Sequence, residues 1–271
     1  MNRPQRILIA LDASPGSFVA LQHTARLAQR LKAQLTALFV EDENLLRLAH
    51  LPFAREVRFS SGERQSLNTE RIERDLKQQQ LWLEQEIERL QKALGIRCAF
   101  QTRRGVLVNE IVSAAAQQDL LALGMASLVN SQKRLGSTAR RLLTESTSSL
   151  MLVGAHRTAQ DSILVVLDGS ASSQRALNKA LMLADATTAL HLLLCAEQPN
   201  AFESIKAWAG ALVDPAKTHW HPLLQPSTED LLRTVIRLHP STLVVADLDW
   251  LEPEALAWIA ERLDGAVLRF R

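Results

Sequence analysis

Apolar residues along this chain fall into two alternating kinds of run. Ile7–Leu11 is a short continuous apolar stretch with β-branched content, and Ser14-Pro15 then breaks it and starts a helix. From 17 to 32 the apolar residues Phe18, Leu21, Ala25, Ala28 and Leu31 recur at steps of three and four, which gives one apolar helix face. Gln34–Val40 reads as the next strand. Strand, helix and strand with continuous apolar strands predict βαβ units and a parallel sheet covered on both faces. The pattern resumes with strands at Ile96–Thr102, Leu120–Gly124 and Leu150–Gly154 and helices at Val106–Gln117 and Thr138–Glu145. About five strands and four helices in ~155 residues is a normal size for one doubly wound domain.

The chain then repeats itself. RILIALDASPGS at 6–17 returns as SILVVLDGSASS at 162–173, each an apolar run closing on Asp-X-Ser. DLLALGMAS at 119–127 pairs with STLVVADLD at 241–249, and SSLMLVG at 148–154 with DGAVLRF at 264–270. The second copy predicts strands at Ile163–Leu167, Leu190–Ala196, Thr218–Leu224, Leu243–Ala246 and Ala266–Phe270, after a linker at 156–162. The expected architecture is therefore α/β: two doubly wound, Rossmann-like parallel-sheet domains in tandem, residues 1–156 and 157–271.

The copies differ most between their second and third strands. The first inserts an apolar stretch at 45–57, which either closes over a site or merely packs. A long charged segment at 63–95 follows, in which Ile72, Leu76, Leu83, Ile87, Leu90 and Leu94 form a stripe broken by Gln79 and Gln80. That stripe predicts one helix lying on its own sheet or, alternatively, overhanging onto the other half or a second subunit.

Composition narrows the classes. The 271 residues are 47% hydrophobic and 22% charged, the balance of a globular protein with a core in each half. A formal net charge of +2 does not argue for nucleic acid or an anionic membrane, and no apolar run reaches the roughly 20 residues of a membrane span. Tyrosine is absent and aromatics make up 4%, which removes the usual platform for stacking bases. Cys98 and Cys195 lie in apolar stretches of different halves, so no disulfide framework is expected. The N-terminus lacks the layout of a signal peptide, and the expectation is a cytoplasmic protein.

In an open parallel sheet, ligands bind beyond the carboxyl ends of the strands where the strand order reverses. Three segments of the first half converge there: Ala10–Ser14, Val40–Asp42 and Gly124–Thr138. Gly124 ends a strand and permits close backbone approach. Gly136, Ser137 and Thr138 open a helix whose free N–H groups and two hydroxyls suit a phosphate, with Lys133, Arg134, Arg140 and Arg141 nearby. A capped helix start without a ligand explains the same residues, with Ser137 or Thr138 as the cap. The second half has Asp247, Leu248 and Asp249 in place of the glycines and hydroxyls. Glu41, Asp42 and Glu43 at the mouth of the site are either metal helpers beside a phosphate or a solvated loop. His219-Trp220-His221 reads as a surface pair on an edge strand rather than a metal site, since no cysteine or carboxylate lies at ligand spacing. No hydrolase triad and no P-loop is visible, so no catalytic residue is assigned.

On these motifs the chain resembles the universal stress protein family in tandem form. The family's opening strand ends in Asp-X-Ser, as IALDAS and VVLDGS do here, and its middle segment matches GVLVNEIVSAAAQQDLLALG at 105–124. ATP-binding members carry Gly-X2-Gly-X9-Gly-Ser/Thr. This sequence keeps Gly124 and Gly136-Ser137 but has Ser127 at the second glycine and one residue fewer in the loop. The resemblance implies ATP or another adenine nucleotide, with Mg²⁺, in the first half. Asp12 would then meet the ribose or adenine, the Val40 backbone the adenine edge, and Gly124, Ser127, Gly136, Ser137 and Thr138 the phosphates. It also implies a non-enzymatic stress-response binding module that contacts a protein partner or itself. Pairing of Leu150–Val153 with Val267–Phe270 would make a pseudo-dimer within one chain, and a homodimer beyond it stays open. A ligand-free scaffold and a weak ATP-hydrolysing enzyme are the alternatives.

Overall fold

The structure, a computed structural model, describes residues 5–49, 55–57, 64–66, 68–125, 135–154, 162–246, 251–263 and 265–270. β1 (Arg6–Leu11) closes on a turn whose last residue, Ser14, caps α1 (Pro15–Leu31) by accepting from the Ser17 amide, with Pro15 in the first helical position. β2 (Gln34–Asp42) and α2 (Glu43–Ala49) follow, then a two-stranded hairpin of β3 (Arg55–Val57) and β4 (Arg64–Ser66). α3 (Thr69–Leu94) leads to β5 (Cys98–Gly105), α4 (Leu107–Ala115), β6 (Leu120–Gly124), α5 (Ser137–Glu145) and β7 (Ser149–Val153). The second series is β8 (Ser162–Leu167), α6 (Ala171–Leu183), β9 (Ala189–Ala196) and α7 (Pro199–Gly210). After a 3-10 turn at Pro215–Lys217 come β10 (Thr218–Leu224), α8 (Thr228–Leu238), β11 (Thr242–Ala246), α9 (Pro253–Arg262) and β12 (Ala266–Phe270).

Among the described residues, all strands but the hairpin join one ten-stranded sheet in the order β10-β9-β8-β11-β12-β7-β6-β1-β2-β5. Of its nine neighbouring pairs the middle one alone is antiparallel: β12 runs against β7 with Ala266 opposite Val153 and Arg269 opposite Leu150. The pairing expected from the resemblance is thus present, with the same residues of β7 and the ladder on β12 set one residue earlier, at Ala266–Arg269. The Gly154 amide extends the ladder to the Gly265 carbonyl at 2.9 Å.

Helices cover both faces, which is why the central strands are apolar on both sides. All of β8 is buried, as are Leu120–Leu123 of β6. α3, α1 and α6 touch in series on one face, and α4, α5, α9 and α8 on the other. The helix–helix contacts α1–α6 and α5–α9 straddle the antiparallel seam, so a single apolar core runs through both series. Leu152 and Leu268, each burying a side chain worth about 1.5–3 kcal/mol, lie on that seam.

Three details depart from the sequence expectations. α2 and the β3–β4 hairpin fall in the segment that carried no periodic signal. The long helix starts at Thr69 rather than 63, because Asn68 caps it by accepting from the Glu70 amide at 2.8 Å. It lies on α1, α2 and β5 of its own series, with Leu76, Leu83 and Ile87 buried. β5 begins at Cys98, since this edge strand alternates polar and apolar residues and its boundary is poorly marked.

Where β8, β11 and β12 begin, the Ser241 hydroxyl accepts from the Ser162 amide (3.0 Å) and donates to the Ser162 carbonyl (2.7 Å). A Cβ at Gly265 would lie 1.8 Å from the Ser241 carbonyl oxygen, backbone that cannot swing aside. We expect Gly265→Ala to cost several kcal/mol, beyond the about 1–3 kcal/mol of ordinary overpacking. Gly210→Ala, with open space around its Cβ, should change stability by no more than about 1 kcal/mol. Urea denaturation of the two variants measures both.

Candidate functional site

In the first series the strand order reverses between β6 and β1. β2 and β5 lie to one side of β1, and β6 and β7 to the other. Extending the β1–β2 register beyond Leu11–Phe39 sets Val40 beside Asp12, and extending the β1–β6 register sets Gly124 beside Leu11. Three of the residues singled out from sequence therefore stand in a row at the carboxyl ends of three adjacent strands.

Asp12 has a local job there. Its Oδ1 accepts from the Ser14 amide at 3.0 Å, its own amide donates to the Ser17 hydroxyl at 3.1 Å, and Ala13 between them takes the left-handed conformation with φ 58°. A non-glycine residue there costs on the order of 1 kcal/mol. The second series builds the same turn: Asp168 Oδ1 accepts from the Ser170 amide at 3.0 Å, with Gly169 at φ 82° and Ser170 capping α6. An aspartate in this place shapes the strand-to-helix turn whether or not a ligand meets it.

Gly124 is required by packing. A Cβ on it would come within 2.8 Å of the Gly16 and Ser17 backbone, so its missing side chain lets the start of α1 lie directly on the end of β6. Gly136 caps α5 with no side-chain cap bond, and it is this residue, not Ser137 or Thr138, that holds the cap position. Ser137 is exposed and Thr138 half-buried, and the first amides of α5 find no cap. Ser127, Lys133 and Arg134 lie outside the described residues, as do Asp247, Leu248 and Asp249.

The two described arginines near α5 are already engaged. Arg141 pairs with Glu145 at 3.0 Å one turn along the same helix. Arg140 pairs with Glu261 of α9, whose Oε1 also accepts from the Leu135 amide at 3.0 Å. Close by, the buried Arg269 of β12 donates to the Leu143 carbonyl of α5. Glu261 and Arg269 carried no signal in the sequence: one reads as a solvated helix charge, the other as the flank of a strand. Only the seam brings them to α5.

The acids at the mouth are held in the same way. Glu41 pairs with Arg104 at 2.7 Å, Asp42 accepts from the Asn44 amide at 3.0 Å, and Glu43 pairs with Arg47 at 2.5 Å. Among the described residues no group of three or more His, Cys, Asp and Glu is arranged to hold a metal ion. A cleft of about 290 Å³ runs between α1 and α6 over the seam, lined by residues such as His23, Arg26, Arg30 and Asp185. None of the candidate residues lines it. No helix among the described residues is long and apolar enough to cross a membrane.

With this geometry in place, comparison with known proteins decides the family. The model of the universal stress protein family matches residues 4–154, more than half of the chain. The chain belongs to the universal stress protein family. Its whole length is similar in fold to a universal stress protein from Archaeoglobus fulgidus, at 16% identity and TM-score 0.74, covering 100% of this chain and 99% of that one. A functionally unknown protein from Pseudomonas aeruginosa follows at 14% identity and TM-score 0.62, covering 98% and 92%. The cytoplasmic domain of a prokaryotic cation chloride cotransporter has 12% identity and TM-score 0.55, covering 98% and 95%. At these identities the likeness is one of fold. No curated protein matches the sequence.

In this universal stress protein the second series meets its helix differently. α9 opens with Glu252 at the cap, Pro253 in the first turn and Glu254 after it. The proline removes one amide, and the acids set negative charge where α5 has Gly136, Ser137 and Thr138. Both cysteines are free thiols pushed up to about 12, chiefly by burial, and so are poor nucleophiles.

On edge strand β10, His219 and His221 share a face as expected, and His191 of β9 joins them. The His191 ring stacks on both, with centroids 4.9 and 5.3 Å away, and its Nδ1 lies 3.0 Å from His221 Nε2. Burial, then His221 and His219, hold His191 down at about 4, and burial, Arg237 and His219 lower His221. Between pH 6.5 and 4 the unfolded chain therefore binds more protons than the folded one, and stability falls as pH drops through that window. We expect His191→Phe to remove part of that fall. Urea midpoints of both proteins at pH 7, 5.5 and 4 measure it, and a pH-independent difference between the two would contradict the assignment.

Proposed function

We propose that this universal stress protein is a tandem binding module without a catalytic role, whose first half, residues 1–156, takes one adenine nucleotide, ATP with Mg²⁺ foremost. The observation that carries the reading is the uncapped start of α5. Gly136 offers no side chain and makes no side-chain cap bond, so the first amides of α5, with the hydroxyls of Ser137 and Thr138 beside them, open where a phosphate is best held. In the pose that the family implies, Asp12 and the Val40 backbone meet the nucleoside, and Gly124, Ser127, Gly136, Ser137 and Thr138 meet the phosphates. The second half, 157–271, binds no nucleotide in this reading, in keeping with Glu252 and Pro253 at the start of α9. Its role is to support the first half and to present a surface to a partner protein or a second copy, in the cytoplasm.

A ligand-free scaffold is the second reading, and specific observations favour it. Gly124 and Asp12 both have packing and turn roles that need no ligand, and Arg140 and Arg141 are already paired. Hydrolysis of ATP finds little support: the acids beside the site are taken up by Arg104, Arg47 and the Asn44 amide.

Calorimetric titration with ATP and Mg²⁺, together with mass analysis of small molecules released on denaturation, separates these readings. We expect one nucleotide per chain, lost in Gly136→Asp. Two per chain would overturn the account of the second half, and none would leave the scaffold.

A further inference from the structure

We propose that Glu261 of the second half is a built-in anion that competes with a nucleotide phosphate for the front of α5, so that occupancy of the first half is felt at the contact between the halves. The proposal rests on the nucleotide reading above and names what regulates that site.

The placement of the carboxylate is unusual for a surface helix. One oxygen of Glu261 accepts from the Leu135 amide at 3.0 Å and from the Arg140 guanidinium. Leu135 immediately precedes the cap residue Gly136, and Arg140 sits at the end of the first turn, its own amide donating to the Gly136 carbonyl at 3.0 Å. The carboxylate thus lies at the positive end of the helix, held by a main-chain amide and a guanidinium. Those are the donors that hold a phosphate in the same position. Its side chain is 14% exposed, so the interaction is only partly screened by water.

A phosphate arriving before Ser137 and Thr138 meets this carboxylate as a like charge and Arg140 as a cation already spoken for. Nucleotide phosphates carry more charge than one carboxylate and draw Arg140 away from it. Glu261 then loses its cation, and the α5–α9 contact loosens. Linkage makes the effect reciprocal: whatever releases Glu261 tightens nucleotide binding, and nucleotide releases Glu261.

Glu254 provides the control. It lies on the same helix and lines, with Arg140 and Arg141, an adjoining cleft of about 220 Å³, yet it makes no hydrogen bond or ion pair among the described residues. Glu254→Gln and Glu261→Gln remove the same charge from the same neighbourhood, and only the second breaks the clasp. Glutamine at 261 keeps an oxygen for the Leu135 amide, so packing is preserved.

The full chain and both variants are titrated with ATP and Mg²⁺ by calorimetry, and amide exchange at Leu135 is followed without ligand. We expect E261Q to bind ATP roughly twofold to fivefold more tightly than E254Q, the range for a partly exposed charge pair. Adding Arg140→Ala to E261Q should abolish the gain. Equal affinities for E261Q and E254Q, with the wild type binding, would overturn the proposal and leave the nucleotide reading intact. Absence of binding in all three proteins would overturn both. Should E261Q unfold, Glu261→Asp shortens the reach and must shift affinity in the same direction, and failure to do so counts equally against the proposal.

Discussion

Everything distinctive in this molecule depends on one strand pair. β7 and β12 are the last strands of their series, and each would leave a row of unpaired amides and carbonyls at a sheet edge. Set against each other, they satisfy one another and turn two parallel sheets into one. The antiparallel crossing also fixes which helices meet. α1 falls beside α6 on one face and α5 beside α9 on the other, and the apolar core passes through the seam without interruption. The long-range polar contacts follow. Arg30 of α1 donates to the Leu183 carbonyl at the end of α6, Arg269 of β12 to Leu143 of α5, and Glu261 of α9 accepts from Leu135 and Arg140. None of these residues is near its partner in sequence.

How far the sequence could be read follows from the same division. Continuous apolar strands and three-four helix spacing depend on local neighbours, so the order of strands and helices was legible, as was the helix start at Ser14-Pro15; the cap expected at Ser137 or Thr138 is Gly136 instead. The repeat made the second series readable from the first, down to Thr218–Leu224, where Pro222 and alternating burial mark an edge strand. α2 and the β3–β4 hairpin were not legible. They are short, and in α2 only Leu46 and Ala49 are buried, too little to make a periodic pattern. The site was half legible. Asp12, Val40, Gly124 and Gly136 do gather at strand ends or open the expected helix. What they do locally depends on contacts that a linear pattern does not carry: the Asp12 turn recurs at Asp168, and Gly124 yields to the Gly16 backbone. Glu261 was beyond reach, because a charge on an amphipathic helix carries no mark of what it will touch.

Across the seam, the second half sends a carboxylate, Glu261, to the start of α5 in the first. On the proposed reading, the affinity of the first half for a nucleotide is set by the balance between this internal anion and an external one, and that balance belongs to both halves at once.

Hydrogen exchange across the whole chain, with and without ATP and Mg²⁺, tests this most directly. The account predicts that nucleotide slows exchange at Ser137 and Thr138 in the first turn of α5 and, in the same sample, quickens it at Leu135 and toward the end of α9 around Glu261. No change at Ser137 and Thr138, or protection there with α9 and Leu135 unaffected, would contradict it.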